Sequence, residues 1–217
     1  MLRLITILAI AFLSGCSTFK IPSYTSDGEN LETLSHGNKP ISVERIAPAF
    51  ADKGKLPCRA AGTVSLGSGK EFSEYIVDAI KNDLQSKSLY LSSSESQLQV
   101  KVMKVDFSSQ MGGATWFIDT KYTIGQESFP ISTAFNDRSS FVAQVACTNM
   151  AKYFTRAVDA HLTQLYAHPI FRASIAYSDS QPTDNHSKFR ELKALYDQNL
   201  ITEDEYRVKK AELLEGI

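Results

Sequence analysis

Between residues 70 and 166 the hydrophobic period changes from helical to alternating and back, and that order restricts the fold more than any other feature. From Lys70 to Ser88, Phe72, Tyr75, Ile76, Ala79, Ile80 and Leu84 recur at helical spacing, with Glu74, Asp78, Lys81 and Gln85 on the other side. Gln97 to Phe107 then alternates at period two. Leu98, Val100 and Val102 share one face, and Val105 and Phe107 follow in the opposite phase, as a β-bulge or a covered second face requires. Ala114 to Ile124 places Trp116, Ile118, Tyr122 and Ile124 on one side, and Glu127 to Ala134 reads as a weaker third strand. A helix over Ser139 to Tyr166, capped by Asn136-Asp137, carries a stripe that includes Val142, Val145, Ala146, Met150, Phe154, His161 and Leu165. Upstream, Ile41 to Ala47 alternates as a first strand, and Pro48 to Leu66 is a loop ending in a short Thr63–Leu66 segment that is a further candidate strand. Strand, helix, three strands, helix is an α+β order: an antiparallel sheet of three to four strands with two helices on one face.

The two ends of the chain have a different character. At the start, Arg3 precedes an almost unbroken apolar run from Leu4 to Leu13, and the sequence turns polar at Ser17. A membrane span needs about 20 apolar residues, whereas a positive start and a short apolar segment have the layout of a secretory leader. Leu13-Ser14-Gly15-Cys16 resembles the bacterial lipobox. That resemblance implies a signal peptide over 1–15, cleavage before Cys16, and transfer of lipid (palmitate-type acyl chains) to Cys16. It implies a lipoprotein held in the cell envelope. Ser17 and Thr18, with no Asp after the cysteine, point to the periplasmic face of the outer membrane. Residues 16–40, rich in Ser, Thr, Gly and Asn, read as a tether to a domain over 41–172.

With Cys16 given to lipid, Cys58 and Cys147 are the remaining pair in an oxidising compartment. A structural disulfide is the expectation. Free thiols, a redox pair and metal ligands are the alternatives, with no Cys-x-x-Cys spacing and no neighbouring His to favour the last two. With 23 basic against 24 acidic residues, the chain has no electrostatic case for a nucleic-acid partner, whose binding depends on dense phosphate neutralisation.

At the other end, residues 173–186 read as a linker and residues 187–217 as a helical hairpin. Thr202 with Glu205 three residues on has capping-box spacing, and Asn199 suits a left-handed helix stop. The run L-K-x-L-Y-D-x-x-L-I-T-E-x-E-Y-x-x-K-K-A-x-L-L from Leu192 to Leu214 resembles the SHOCT domain. A hairpin of this size cannot bury much core. Leu192, Leu195, Tyr206, Leu213 and Leu214 are the candidate partner-binding residues, because they can pack within the hairpin and still leave an apolar edge. The resemblance implies docking or self-association; packing on its own domain is the alternative. Arg207, Lys209 and Lys210 read as a solvated helix face.

No catalytic residue, metal ligand or cofactor is assigned. Gly62 to Lys70 falls short of a phosphate loop because Glu71, not Ser or Thr, follows the lysine. His161 and His168 stand seven apart with no acidic or cysteine companion. The architecture of residues 41 to 170 resembles small periplasmic α/β modules of envelope lipoproteins: penicillin-binding-protein activators, transporter accessories and a lipopolysaccharide-assembly component. Fold likeness of that kind does not transfer function. The expectation is a non-enzymatic binding or scaffold accessory of an envelope assembly or transport machine, anchored to the membrane by its lipid. A self-associating structural lipoprotein and an envelope enzyme are the alternatives.

Overall fold

The computed structural model describes residues 17–25, 39–67, 69–110, 113–176, 192–197 and 200–215. The chain divides into two compact units, one ending at Ala176 and one beginning at Tyr177. Among the described residues the first unit has seven strands: β1 (Ser17–Lys20), β2 (Ser42–Ile46), β3 (Lys55–Cys58), β4 (Gly62–Ser65), β5 (Gln97–Ser108), β6 (Ala114–Ile124) and β7 (Glu127–Asp137). Its helices are α1 (Phe72–Ser86), α2 (Ala143–Ala167) and α3 (Pro169–Ile175).

The fold is α+β. A four-stranded sheet in the order β2-β5-β6-β7 pairs antiparallel from β5 onward, while β2 lies parallel to β5. The opposite phases of β5 are reconciled by a bulge: Val102 faces Thr120 and Lys104 faces Asp119, which leaves Met103 as the extra residue. One added residue returns Val105 to the buried face already occupied by Leu98, Val100 and Val102. On β7, Phe129, Ile131 and Thr133 point inward between exposed Ser128, Pro130 and Ser132. Burial on one face only is what lets this sheet show strict alternation in sequence. Helix α1 packs on β2 and β5, and α2 packs on β6 and β7.

A second sheet has three strands in the order β1-β4-β3, of which only β4, close to the expected Thr63–Leu66 strand, was legible in the sequence. It corrects the start of the tether expected over 16–40, because Ser17–Lys20 pairs parallel with Gly62–Ser65 and Ile21 is buried; residues 16 and 26–38 of that range lie outside the described residues. The strand forms for backbone reasons: Ser17, Thr18 and Lys20 are exposed, so no apolar alternation marks it. The loop expected over Pro48 to Leu66 likewise contains β3, which pairs antiparallel with β4.

Helix boundaries follow from who satisfies the end amides. The Asp52 carboxylate accepts from the Phe72 and Ser73 N–H groups at 2.9 and 2.7 Å, capping α1 from twenty residues upstream. Asn136-Asp137 does not cap α2. Both belong to β7, where they pair with Thr115 and Ala114, and Asp137 is ion-paired with Arg156 at 2.5 Å. Helix α2 begins at Ala143 without a side-chain cap. Val142 and Val145 therefore fall outside the buried stripe and are 56% and 47% exposed. Residues 173–175 of the linker expected over 173–186 belong to α3, and residues 177–186 lie outside the described residues. The Ile175 side chain is buried, and its carbonyl accepts from Lys39 N–H.

Candidate functional site

Three groupings in the described residues bring polar or reactive side chains together. The first lies inside the unit, between α2 and the large sheet. His161 is fully buried, with Tyr122 Oη 3.0 Å and Thr120 Oγ1 3.1 Å from Nε2, and Thr133 Oγ1 2.8 Å from Nδ1. Gln164 donates to Thr133 Oγ1 at 2.8 Å, so the Thr133 hydroxyl is free to donate to Nδ1. A proton on Nε2 then completes the chain toward Tyr122 and Thr120. Burial pushes the His161 pKa down to about 3 and the Tyr122 phenol upward. A neutral imidazole with both nitrogens satisfied holds α2 on β6 and β7. Nearby, Tyr166 donates to Asp83 Oδ2 at 2.8 Å, and the Tyr24 hydroxyl lies 3.0 Å from the same oxygen and 3.3 Å from Asp159 Oδ1. Burial and the Asp83 carboxylate raise the Tyr166 pKa. This second polar knot joins the segment after β1 to α1 and α2. His168 stands apart, stacked on Phe129 at 3.8 Å with its Nδ1 accepting from Ile170 N–H.

The second grouping lies at the start of α2. Cys58 and Cys147 are joined in a disulfide, with Cα atoms 5.9 Å apart. The next residue, Arg59, has a positive φ of 45° and spends its guanidinium on neutral oxygens: Ser109 O, Ser140 O at 2.9 Å and Ser139 Oγ at 3.1 Å. It thereby ties two segments, the one after β5 and the one ahead of α2, to the disulfide. Beside it opens a shallow cleft of about 810 Å³, lined by Pro57, Arg59, Phe107 and Phe141 among others. Among the described residues no group of three or more His, Cys, Asp or Glu side chains is placed to hold a metal ion. Sequence reasoning missed Arg59, Phe141 and the outward turn of Val145.

The third grouping is the C-terminal unit. Residues 192–197 form a short helix, α4, and Glu203–Glu215 forms α5. Leu200 N–H returns to Leu195 O at 2.9 Å, and the Tyr196 and Tyr206 rings stack 4.9 Å apart, closing a hairpin. Thr202 and Glu205 form the capping box: Glu205 N–H donates to Thr202 Oγ1 at 3.3 Å, and Thr202 N–H donates to Glu205 Oε2 at 2.8 Å. The Thr202 N–H, joined by the Thr202 hydroxyl donating to the same Oε2 at 2.8 Å, holds the Glu205 carboxyl below its ordinary pKa. Residues 187–214 are a SHOCT domain, a short C-terminal domain.

Within the SHOCT hairpin, Leu192, Tyr206 and Leu213 are half-buried and Leu195 is exposed; the Leu214 side chain lies outside the described residues. Leu200 and Val208 are 65% and 55% exposed. Cys16 also lies outside the described residues, and no described helix is long and apolar enough to cross a membrane. No curated protein matches the chain. A solved structure described as "Crystal structure of uncharacterized protein" is similar at 9% identity and a TM-score of 0.38, covering 72% of this chain and 96% of its own.

Proposed function

We propose that the protein is a lipid-anchored, non-enzymatic accessory of an envelope assembly or transport machine, with the SHOCT hairpin as its protein-docking element. The observation that carries this reading is the apolar edge of that hairpin. Tyr196 and Tyr206 stack to close it, yet Leu195, Leu200 and Val208 stay open to solvent. Side chains of this size, left uncovered by a unit too small to bury them, are suited to a partner's apolar groove. The lipobox-like Leu13–Cys16 supports anchoring at Cys16, and the polar groups of the larger unit support a scaffold role. His161, Asp83 and Arg59 are each committed to contacts that hold elements together.

The test is in-cell crosslinking of the native lipoprotein against a Leu195→Ser, Leu200→Ser, Val208→Ser triple variant. Loss of a heteromeric crosslinked product in the variant, with its abundance unchanged, is the expected result. A crosslinked product that survives the three substitutions rejects the hairpin as the docking element. A product made of this chain alone favours self-association instead.

A further inference from the structure

We infer that the larger unit lies directly on the lipid bilayer through the rim formed by Phe141, Val142 and Val145, instead of standing off on a tether. The inference rests on lipid attachment at Cys16. Its geometric basis is where β1 begins. Ser17 is already in the sheet, opposite Gly62, so the attachment residue precedes ordered structure by a single peptide unit. One residue spans at most about 3.6 Å, which leaves the anchor no slack.

The position of that strand end decides which surface meets the membrane. Ser17, Gly62 and Cys58 sit side by side across β1, β4 and β3, and neighbouring strands lie about 4.8 Å apart. Cys58 is tied to Cys147 in the second turn of α2, and Arg59 bonds the Ser140 carbonyl just ahead of that helix. Farther along, Tyr24 reaches Asp159 of α2, so the chain after Ser17 advances along α2 in the direction of the helix. The lipid-bearing end therefore coincides with the N-terminal end of α2.

That end is where three adjoining large apolar side chains face out: Phe141 at 78%, with Val142 and Val145 about half exposed. Of the nearby charges, Arg138 is exposed three residues ahead of Phe141, a cation suited to the lipid phosphates at such an interface. Arg59 is occupied by carbonyl and hydroxyl oxygens, and Asp137 is paired with Arg156. An apolar rim beside a covalent acyl anchor has the two membrane signals that stable, oriented attachment needs. The occupant is the bilayer interface, with Phe141 as the deepest side chain.

The test uses the full chain, matured in a bacterial host, extracted, and reconstituted in phosphatidylethanolamine and phosphatidylglycerol vesicles whose acyl chains carry bromine. Phe141→Trp and Leu91→Trp are compared against the parent, whose single tryptophan, Trp116, is buried. Leu91 is exposed ahead of the Gln97 end of β5, and that strand runs roughly 35 Å, at about 3.3 Å per residue, from Gln97 to Ser108 at the rim end. The added tryptophan at 141 is expected to be quenched several-fold more than that at 91. Equal quenching at the two positions, or none at 141, in protein whose Cys16 peptide carries the acyl mass, overturns the orientation and leaves the anchor intact. A Cys16 peptide without acyl mass overturns both.

Discussion

Ser17 lies opposite Gly62 in parallel register, and its carbonyl oxygen approaches so closely that a Cβ on Gly62 would stand 1.9 Å from it. Gly62 also has a φ of +143°, a backbone state that L side chains rarely adopt. Two independent constraints thus meet at the residue that seats the first strand. Gly62→Ala is expected to lower stability by more than about 1 kcal/mol, since alanine is incompatible with the native backbone there. It should also release β1 selectively. Hydrogen exchange would show this as lost protection at the Ile21 N–H, which donates to the Ser65 carbonyl at 2.8 Å, with β6 and β7 amides still slow. Unchanged protection at Ile21 would mean that the pairing with β4 does not depend on that close approach.

The disulfide joins β3 to α2 across 89 residues of sequence. A loop of that size restricts the unfolded chain strongly, and loss of a native bridge typically costs about 2–5 kcal/mol. The Cys58→Ser, Cys147→Ser double variant should show a urea midpoint lowered by that free energy divided by the denaturant slope, and reductant should leave it unchanged. In the parent protein, reductant should bring the midpoint down to the variant's value. Equal midpoints with and without reductant would show that the bridge contributes no net stability.

What the sequence disclosed and what it concealed divide along physical lines. Strands β5, β6 and β7 were legible because one face is buried and the other solvated, which writes alternation into the residues; even the bulge at Met103 showed as a phase reversal. Strand β1 concealed itself because its pairing uses backbone groups and three of its four side chains face solvent. The start of α2 was misread because Asn136-Asp137 has capping chemistry, but Asp137 serves a strand end and an ion pair instead. The hairpin was legible from Thr202 and Glu205, since a capping box is a local code. The rim of Phe141, Val142 and Val145 was hidden for the converse reason. Outward-facing and inward-facing valines look alike until the first helical residue is fixed at Ala143.

His161 makes acid stability a specific expectation. Burial lowers its pKa in the folded protein to about 3, against 6.5 for the exposed imidazole. Above pH 6.5 both folded and unfolded chains carry a neutral ring, so the favourable contribution of the neutral native ring is fully present. As the pH falls below 6.5 the unfolded chain takes up a proton that the folded one refuses. Stability therefore declines by about 1.4 kcal/mol per pH unit until the folded pKa is reached. A His161→Gln variant, which keeps hydrogen-bonding capacity without a titrating ring, should have lower stability at neutral pH but a flatter profile between pH 6 and 4. Denaturant melts across that window measure the slope. Identical slopes in parent and variant would assign the acid sensitivity to other groups.

The SHOCT hairpin has its own acid sensitivity, and it arises at the surface. Glu205 accepts from the Thr202 N–H at 2.8 Å, and this bond and the one to the hydroxyl lower its pKa. A depressed carboxyl pKa contributes stability above the ordinary glutamate range, and that contribution disappears as the pH falls through the folded value. Opening of α5 in the full chain should therefore increase in acid, read as faster exchange of the Tyr206 amide, which donates to Thr202 O at 2.9 Å. Exchange chemistry itself depends on pH, so protection factors are the quantity to compare. Glu205→Gln should begin less protected at neutral pH, because the amide accepts more weakly than the carboxylate, and should lose little further on acidification. Thr202→Ala should weaken the same helix start at neutral pH by removing the other half of the box. If both variants match the parent at every pH, the Tyr196–Tyr206 stack, and not the cap, sets hairpin stability.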